Sequence, residues 1–117
     1  MDKLCKIRDL YRAVTDFESE FEDEYHIGLN EGMLLCTLAK KENLSSGDIA
    51  DKLGLRSSNT SKVIKSVEEK GLITRVVGEV DKRQMYFSLT TKGKDVLQSI
   101  ECDKIELPDL LERILVR

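Results

Sequence analysis

Residues 44–71 decide the fold: LSSGDIADKLGL (44–55) is followed directly by RSSNTSKVIKSVEEKG (56–71). In the first segment, Ser45 or Ser46 is suited to capping the start of a helix, and Gly54 is suited to ending it. In the second segment Gly71 plays the same terminating part. Two helices joined by a few residues that include glycine predict a helix-turn-helix.

The second of these helices has an unusual distribution of side chains. Its apolar residues, Val63, Ile64 and Val67, all lie in the second half, whereas the first half is polar on all sides. Hydroxyl and amide groups can read base edges, and lysines suit phosphates or guanine. The predicted DNA-contacting residues here are Arg56, Ser57, Ser58, Asn59, Thr60, Ser61, Lys62 and Lys65. The alternative interpretation is a solvated helix face.

After Gly71 the pattern changes to that of a β-hairpin. Residues 72–77 (LITRVV) are rich in β-branched side chains, residues 84–89 (QMYFSL) carry aromatic ones, and the turn between them contains Asp81, Lys82 and Arg83. A helix-turn-helix followed by a hairpin is a winged helix. Its second helix can enter the major groove, about 12 Å wide, while the hairpin reaches the flanking minor groove.

Helices are predicted on both sides of this core. Apolar residues spaced by three or four define a long amphipathic helix over about 2–23, and Asn30 is expected to cap the helix that follows. Thr90 or Thr91 is expected to cap a helix after the hairpin, and Pro108 to open a last short one. The predicted fold class is mainly α with a small β-hairpin: a winged helix-turn-helix core over 29–94, flanked by dimerisation helices in 1–28 and 95–117, within a single domain.

Composition narrows the function. The net charge of the 117 residues is −3, but residues 45–94 carry ten basic and six acidic side chains between two acidic ends, as suits a DNA-facing module. One His and three widely spaced Cys offer little material for a metal site or for catalysis, so we expect no metal, no cofactor and no enzymatic activity. Apolar runs are too short for a membrane span, and a cytoplasmic location is expected.

The segment 29–97 resembles the winged-helix core of the MarR family of bacterial transcription regulators. The resemblance is carried by IADKLGL, EEKGLITR, the wing DKR and SLTTKGK, in this order and spacing. It implies a homodimer on a pseudo-palindromic operator in double-stranded DNA, with Arg83 in the minor groove and Asp81 helping to hold it. The narrow minor groove attracts such a guanidinium through its concentrated negative potential. Two positions depart from the family pattern: Arg56 replaces a frequent Ser, so that capping is expected to pass to Ser57, and Thr60 replaces an apolar residue.

The terminal helices carry more apolar surface than one compact core can bury. This surplus predicts that two chains pair through these helices, and the resemblance implies the same dimer. The predicted dimer interface comprises Leu4, Ile7, Leu10, Tyr11, Val14, Leu110, Leu111, Ile114 and Leu115. The alternative is that the terminal helix covers the first helix within one chain. A small-molecule effector is a further partner that the resemblance leaves open. A winged helix used as a protein-interaction module, without DNA binding, is the alternative function.

Overall fold

The computed structural model of this chain describes residues 2–78, 83–100 and 105–115. Within these ranges it contains six helices and one two-stranded antiparallel hairpin, which confirms the predicted fold class. The elements are α1 (Lys3–Tyr25), α2 (Leu29–Lys40), α3 (Ser46–Leu53), α4 (Ser57–Glu69), β1 (Ile73–Val77), β2 (Met85–Leu89), α5 (Thr91–Ile100) and α6 (Asp109–Leu115). Among the described residues, no helix combines the length and the apolar character needed to cross a lipid bilayer.

The chain divides into two compact units, one made of residues 1–29 and 103–117 and the other of residues 30–102. In the first unit α6 packs against α1, and Phe21, Ile27 and Leu111 are buried apolar side chains. The predicted division places residues 95–100 with the terminal helices, whereas α5 groups with the winged-helix core.

The apolar face of α1 is wide, and its two sides differ in burial. Phe21 is buried beside the rings of Phe17 and Tyr25, whose centroids lie 6.1 and 4.9 Å from its own. The other side of this face remains exposed along most of the helix. Asp2 caps the start of α1: its carboxylate accepts a 2.9 Å hydrogen bond from the Leu4 amide and thus satisfies one of the free N–H groups of the first turn.

Helix α2 supplies the centre of the second core. Its side chains Leu34, Leu35 and Leu38 are completely buried. The prediction that Asn30 caps this helix is wrong, because α2 already begins at Leu29 and Asn30 lies inside its first turn. The apolar pattern alone does not distinguish a cap from a first-turn residue. The other buried apolar side chains of this core lie on α3, α4, α5, the hairpin and the segments next to them. They are Leu44, Ile49, Ile64, Val67, Leu72, Ile73, Phe87, Leu89 and Ile100.

Helix α3 has a reciprocal cap at its start. The Asp48 amide donates to Ser45 Oγ (3.1 Å), and the Ser45 amide donates to Asp48 Oδ2 (3.2 Å), so Ser45 is the cap, one of the two predicted for this helix. The hydrogen bond that the Asp48 carboxylate accepts from the Ser45 amide, and next its interaction with the Ser45 side chain, lower the pKa of Asp48 below its ordinary value. Gly54 ends the helix in the left-handed conformation (φ 66°), as its position predicted.

The hairpin lies between α4 and α5. Its register pairs Ile73 with Leu89 and Val77 with Met85. A short stretch before α3 adds a bridge on the far side of β2: the Phe87 amide donates to the Leu44 carbonyl at 2.9 Å. The sequence pattern did not predict this bridge. Thr90 caps α5 by accepting a 3.0 Å hydrogen bond from the Gly93 amide, one of the two caps predicted there.

Candidate nucleic-acid interface

Helix α4 carries two faces with different tasks. Thr60, Ile64 and Val67 are buried and hold the helix against the second core. The opposite face presents exposed hydroxyl, amide and ammonium groups to solvent. These exposed residues are Ser57, Ser58, Asn59, Ser61, Lys62 and Lys65. A polar and basic helix face of this kind matches what a helix needs for contact with base edges and phosphates.

Thr60 is a correction to the predicted site. Its side chain is 1% exposed, and its hydroxyl donates to the Arg56 carbonyl at 2.9 Å. A side chain with that burial and that partner cannot reach a base edge, so the predicted DNA contact of Thr60 is wrong. This half of the helix is polar on all sides, but it is not exposed on all sides. Thr60 instead fills a core position and satisfies its own hydroxyl by bonding back along the helix.

The start of α4 also differs from the prediction. The N-cap is Arg56, with extended backbone and no capping hydrogen bond from its side chain, and Ser57 is already the first helical residue. Capping therefore does not pass to Ser57. The Arg56 side chain is exposed beside the first turn of α4, where backbone N–H groups without helical partners favour an anion.

Three of the ten basic residues in the segment 45–94 form ion pairs or hydrogen bonds within the second unit. Lys70 Nζ lies 2.9 Å from both carboxylate oxygens of Glu31, which also accepts a 2.9 Å hydrogen bond from Ser66. Lys92 Nζ donates to the Lys70 carbonyl at 3.0 Å, beside the end of α4. These contacts link α2, α4 and α5, so Lys70 and Lys92 stabilise the packing of the second unit.

The third is Arg75 on β1, which makes a bidentate ion pair with Glu68 of α4. Arg75 Nε lies 2.8 Å from Glu68 Oε2, and Nη2 lies 3.0 Å from Oε1. The hydrogen bond with Glu68 and the charge of that carboxylate raise the pKa of Arg75. Sequence reasoning missed this pair. The sequence contains one signal for it: an acidic residue in the last turn of a helix is followed by a basic residue near the middle of the next strand.

The wing is the β1–β2 hairpin, and a backbone hydrogen bond extends it beyond Val77. The Gly78 amide donates to the Gln84 carbonyl at 2.9 Å and continues the β1–β2 ladder by one step. Arg83 is exposed immediately before Gln84. The predicted contacts Asp81 and Lys82 lie outside the described residues.

The residues predicted for the dimer interface fall in the first unit and divide by burial. Leu10 and Leu110 are partly covered. Leu111 is 9% exposed in a single chain, so most of its surface is already covered inside this unit, and its place in the interface stays a prediction. The remaining six are exposed large apolar residues, Leu4, Ile7, Tyr11, Val14, Ile114 and Leu115.

A second feature of the first unit is a cavity of about 460 Å³ between α1 and residues 106–108. Four of its eight lining residues are acidic, Asp9, Asp16, Glu20 and Glu106, and Arg12 is also among the eight. Across the part of the chain that the structure describes, no three His, Cys, Asp or Glu side chains are grouped so as to hold a metal ion.

Comparison with known proteins finds the same architecture. The MepR–DNA complex from S. aureus has a TM-score of 0.80 and 23% sequence identity, with 99% of this chain and 83% of that chain covered. Among curated proteins, the regulator SarZ of Staphylococcus saprophyticus is 26% identical over 93 residues, which are 80% of this chain and 61% of SarZ. A riboflavin kinase of Thermoplasma acidophilum is 32% identical over 78 residues, 67% of this chain but 34% of the kinase.

This chain therefore spans less than two thirds of these two curated relatives. The model of the MarR family matches residues 27–85, the segment that runs from the residues just before α2 to the start of β2 and contains the helix-turn-helix. The match covers half of the chain and includes most of the motifs that carry the resemblance. With the winged-helix topology and the exposed face of α4, it shows that this chain belongs to the MarR family.

Proposed function

We propose that this chain is a sequence-specific DNA-binding transcriptional regulator without enzymatic activity. The observation that carries the proposal is the exposed face of α4, where Ser58, Lys62 and Lys65 stand opposite the buried Thr60 and Val67. The helix can lie in the major groove because this face is free of large apolar side chains. The relatives support the proposal, since MepR forms a DNA complex and SarZ is a transcriptional regulator of the helix-turn-helix type.

In this proposal the residues divide the work by chemistry. Ser58, Asn59 and Ser61 read base edges, and Lys62 and Lys65 contact phosphates or guanine. Arg56 contacts a phosphate beside the start of α4. Arg83, with its neighbours in the wing, enters the flanking minor groove. Such a regulator acts where the chromosome lies, in the cytoplasm.

We further propose that two chains pair through their first units. Leu4, Ile7 and Tyr11 on α1 are 73%, 60% and 74% exposed, and Ile114 and Leu115 on α6 are also exposed. Single chains rarely leave so many large apolar side chains in water on one unit. A two-fold dimer covers the same surface on both chains at once. It would place the α4 helices of the two chains, as recognition helices, on half-sites about 34 Å apart, one turn of DNA.

The test is selection from a pool of random-sequence duplexes, followed by gel-shift titration of the enriched sequence. The expected result is a palindromic consensus with two half-sites, bound with an affinity that falls steeply as salt rises. Enrichment of no sequence, together with no retention of the pool even at low salt, would contradict DNA binding and leave the protein-interaction module as the function. A consensus without symmetry would contradict the dimer alone.

A further inference from the structure

The Arg75–Glu68 ion pair joins the two elements that the proposed function brings to DNA. Glu68 lies in the last turn of α4, and Arg75 is the middle residue of β1. Both oxygens of the carboxylate are used by the guanidinium, at 2.8 and 3.0 Å. The guanidinium carbon also lies 5.6 Å from the centroid of Phe87, the residue opposite Arg75 on β2. The contact therefore involves both strands of the wing.

The backbone between these elements is a short turn. After α4 the chain passes through Lys70 and then Gly71, whose φ of 75° lies in the left-handed region that favours glycine. Hydrogen bonds from the Gly71 and Leu72 amides to the end of α4 hold the first step of the turn. Arg75 lies beyond this turn, so its contact with Glu68 is a second link, made by side chains, between the hairpin and α4.

Charge makes a direct DNA role for this pair unfavourable. A phosphate approaching Arg75 would also meet the Glu68 carboxylate, which already occupies two donors of the guanidinium. A bidentate Arg–carboxylate pair fixes a planar geometry that neither a lysine nor an amide reproduces. Exposed ion pairs contribute little to global stability. The geometry of the pair is thus better suited to orienting the wing than to binding DNA or supporting the core.

We propose that the Arg75–Glu68 pair is a positioning element that fixes the angle of the wing relative to the recognition helix, so that Arg83 reaches the minor groove while α4 occupies the major groove. This inference rests on the proposed function. It identifies a carboxylate that strengthens DNA binding although its own charge repels DNA.

The direction in which one substitution changes DNA affinity tests this proposal. Glu68→Gln removes a negative charge, which by electrostatics alone would tighten binding to a polyanion. If the pair positions the wing, the same variant binds the duplex selected by the unmodified chain about three- to tenfold more weakly. Arg75→Lys keeps the charge but removes the planar fork, and we expect a similar weakening. The matched control is Glu42→Gln, which removes an exposed carboxylate elsewhere in the second unit and is expected to bind equally or more tightly.

A double-mutant cycle separates positioning from general damage. In an Arg83→Ala background the wing no longer reaches the minor groove through its arginine, so Glu68→Gln should weaken binding little further. Thermal melting by circular dichroism, run on every variant, checks that each is folded at the assay temperature.

Three results would overturn the inference. Tighter or unchanged binding by folded Glu68→Gln would show that the pair does not position the wing. An equal weakening with and without Arg83 would assign the effect to general destabilisation. Absence of any DNA selected by the unmodified chain would remove the proposed function, and this inference with it.

Discussion

Gly93, in the first turn of α5, lies directly against the backbone of Leu72. A Cβ at this position would overlap the Leu72 carbonyl oxygen, which also accepts a 3.0 Å hydrogen bond from the Thr90 amide. The Thr90 hydroxyl in turn donates to the Gly71 carbonyl at 2.7 Å. The glycine of the SLTTKGK motif therefore has a packing role: it lets α5 approach the start of the hairpin closely.

We expect Gly93→Ala to destabilise the chain. Replacing a helical glycine by alanine stabilises a helix by about 1 kcal/mol when the site is open. Here the overlap is with backbone, which cannot rotate away, and forced overpacking costs about 1–3 kcal/mol or more. The net effect should be a decrease of about 1–2 kcal/mol in the free energy of unfolding, measured by urea denaturation.

The matched control for this prediction is Gly47→Ala in α3. The nearest atom to a Cβ there is Ser45 Oγ at 3.8 Å, an ordinary contact. This variant should be more stable by up to about 1 kcal/mol. Equal stability of the two alanine variants would show that the backbone around Leu72 relaxes more easily than the close approach indicates.

At the scale of a single element, α4 separates affinity from base preference. Lys62→Ala should weaken binding to all sequences alike and reduce the salt slope by about one unit for each phosphate that the shortened side chain no longer reaches in a half-site. Ser58→Ala should instead change the preferred base at one position of each half-site, by about 1–3 kcal/mol of discrimination or less. Gel-shift titrations on single-base operator variants over a salt series measure both effects.

The control for Lys62 is Lys6→Ala, which removes an exposed lysine from α1 in the other unit. It should leave the salt slope unchanged. If Lys62→Ala and Ser58→Ala change the affinity for every operator variant by one common factor, α4 does not read bases directly.

Much of the element structure follows from local chemistry that the sequence displays. Ser45 with Asp48, Gly54 and Thr90 each satisfy free backbone groups at a helix end, and such signals depend on neighbours within four residues. The family motifs predict the wing and the recognition helix for the same reason: their spacing is local.

The features that sequence reasoning missed depend on helical phase and on contacts between elements. The polar side chain of Thr60 suggests a surface residue, but it lies on the same face as Ile64 and Val67. Arg75 counts as a free charge in the sequence because its partner lies on another element. Leu111 fits an apolar stripe equally well whether its own chain or a second chain covers it, and only the packing of α6 on α1 shows that its own chain covers most of it.

At the scale of the whole molecule, the proposed dimer makes a specific prediction for Ile7, which is 60% exposed on α1. Ile7→Asp should yield a folded single chain, because a charge at this position is solvated in the monomer but would be buried without a partner in the dimer. Sedimentation at micromolar concentration should show twice the chain mass for the unmodified protein and the chain mass for the variant. Leu111→Asp is unsuitable, since it would disrupt the unit itself.

The control is Lys6→Asp, at an exposed polar position on the same helix, which should remain dimeric. A dimer that survives Ile7→Asp would exclude this edge of α1 from the interface. An unmodified chain that sediments with the mass of one chain would remove the dimer from the proposed function.

The two faces of α4 also bear on how such a regulator evolves. The side chains that hold the helix in place, Thr60, Ile64 and Val67, are distinct from the exposed ones proposed to read DNA. Exposed substitutions away from caps usually change stability by no more than about 0.5 kcal/mol. After gene duplication, a copy can therefore drift toward a new target by changing Ser58 or Asn59 without first acquiring compensating mutations, and regulatory networks can be rewired while the fold stays the same.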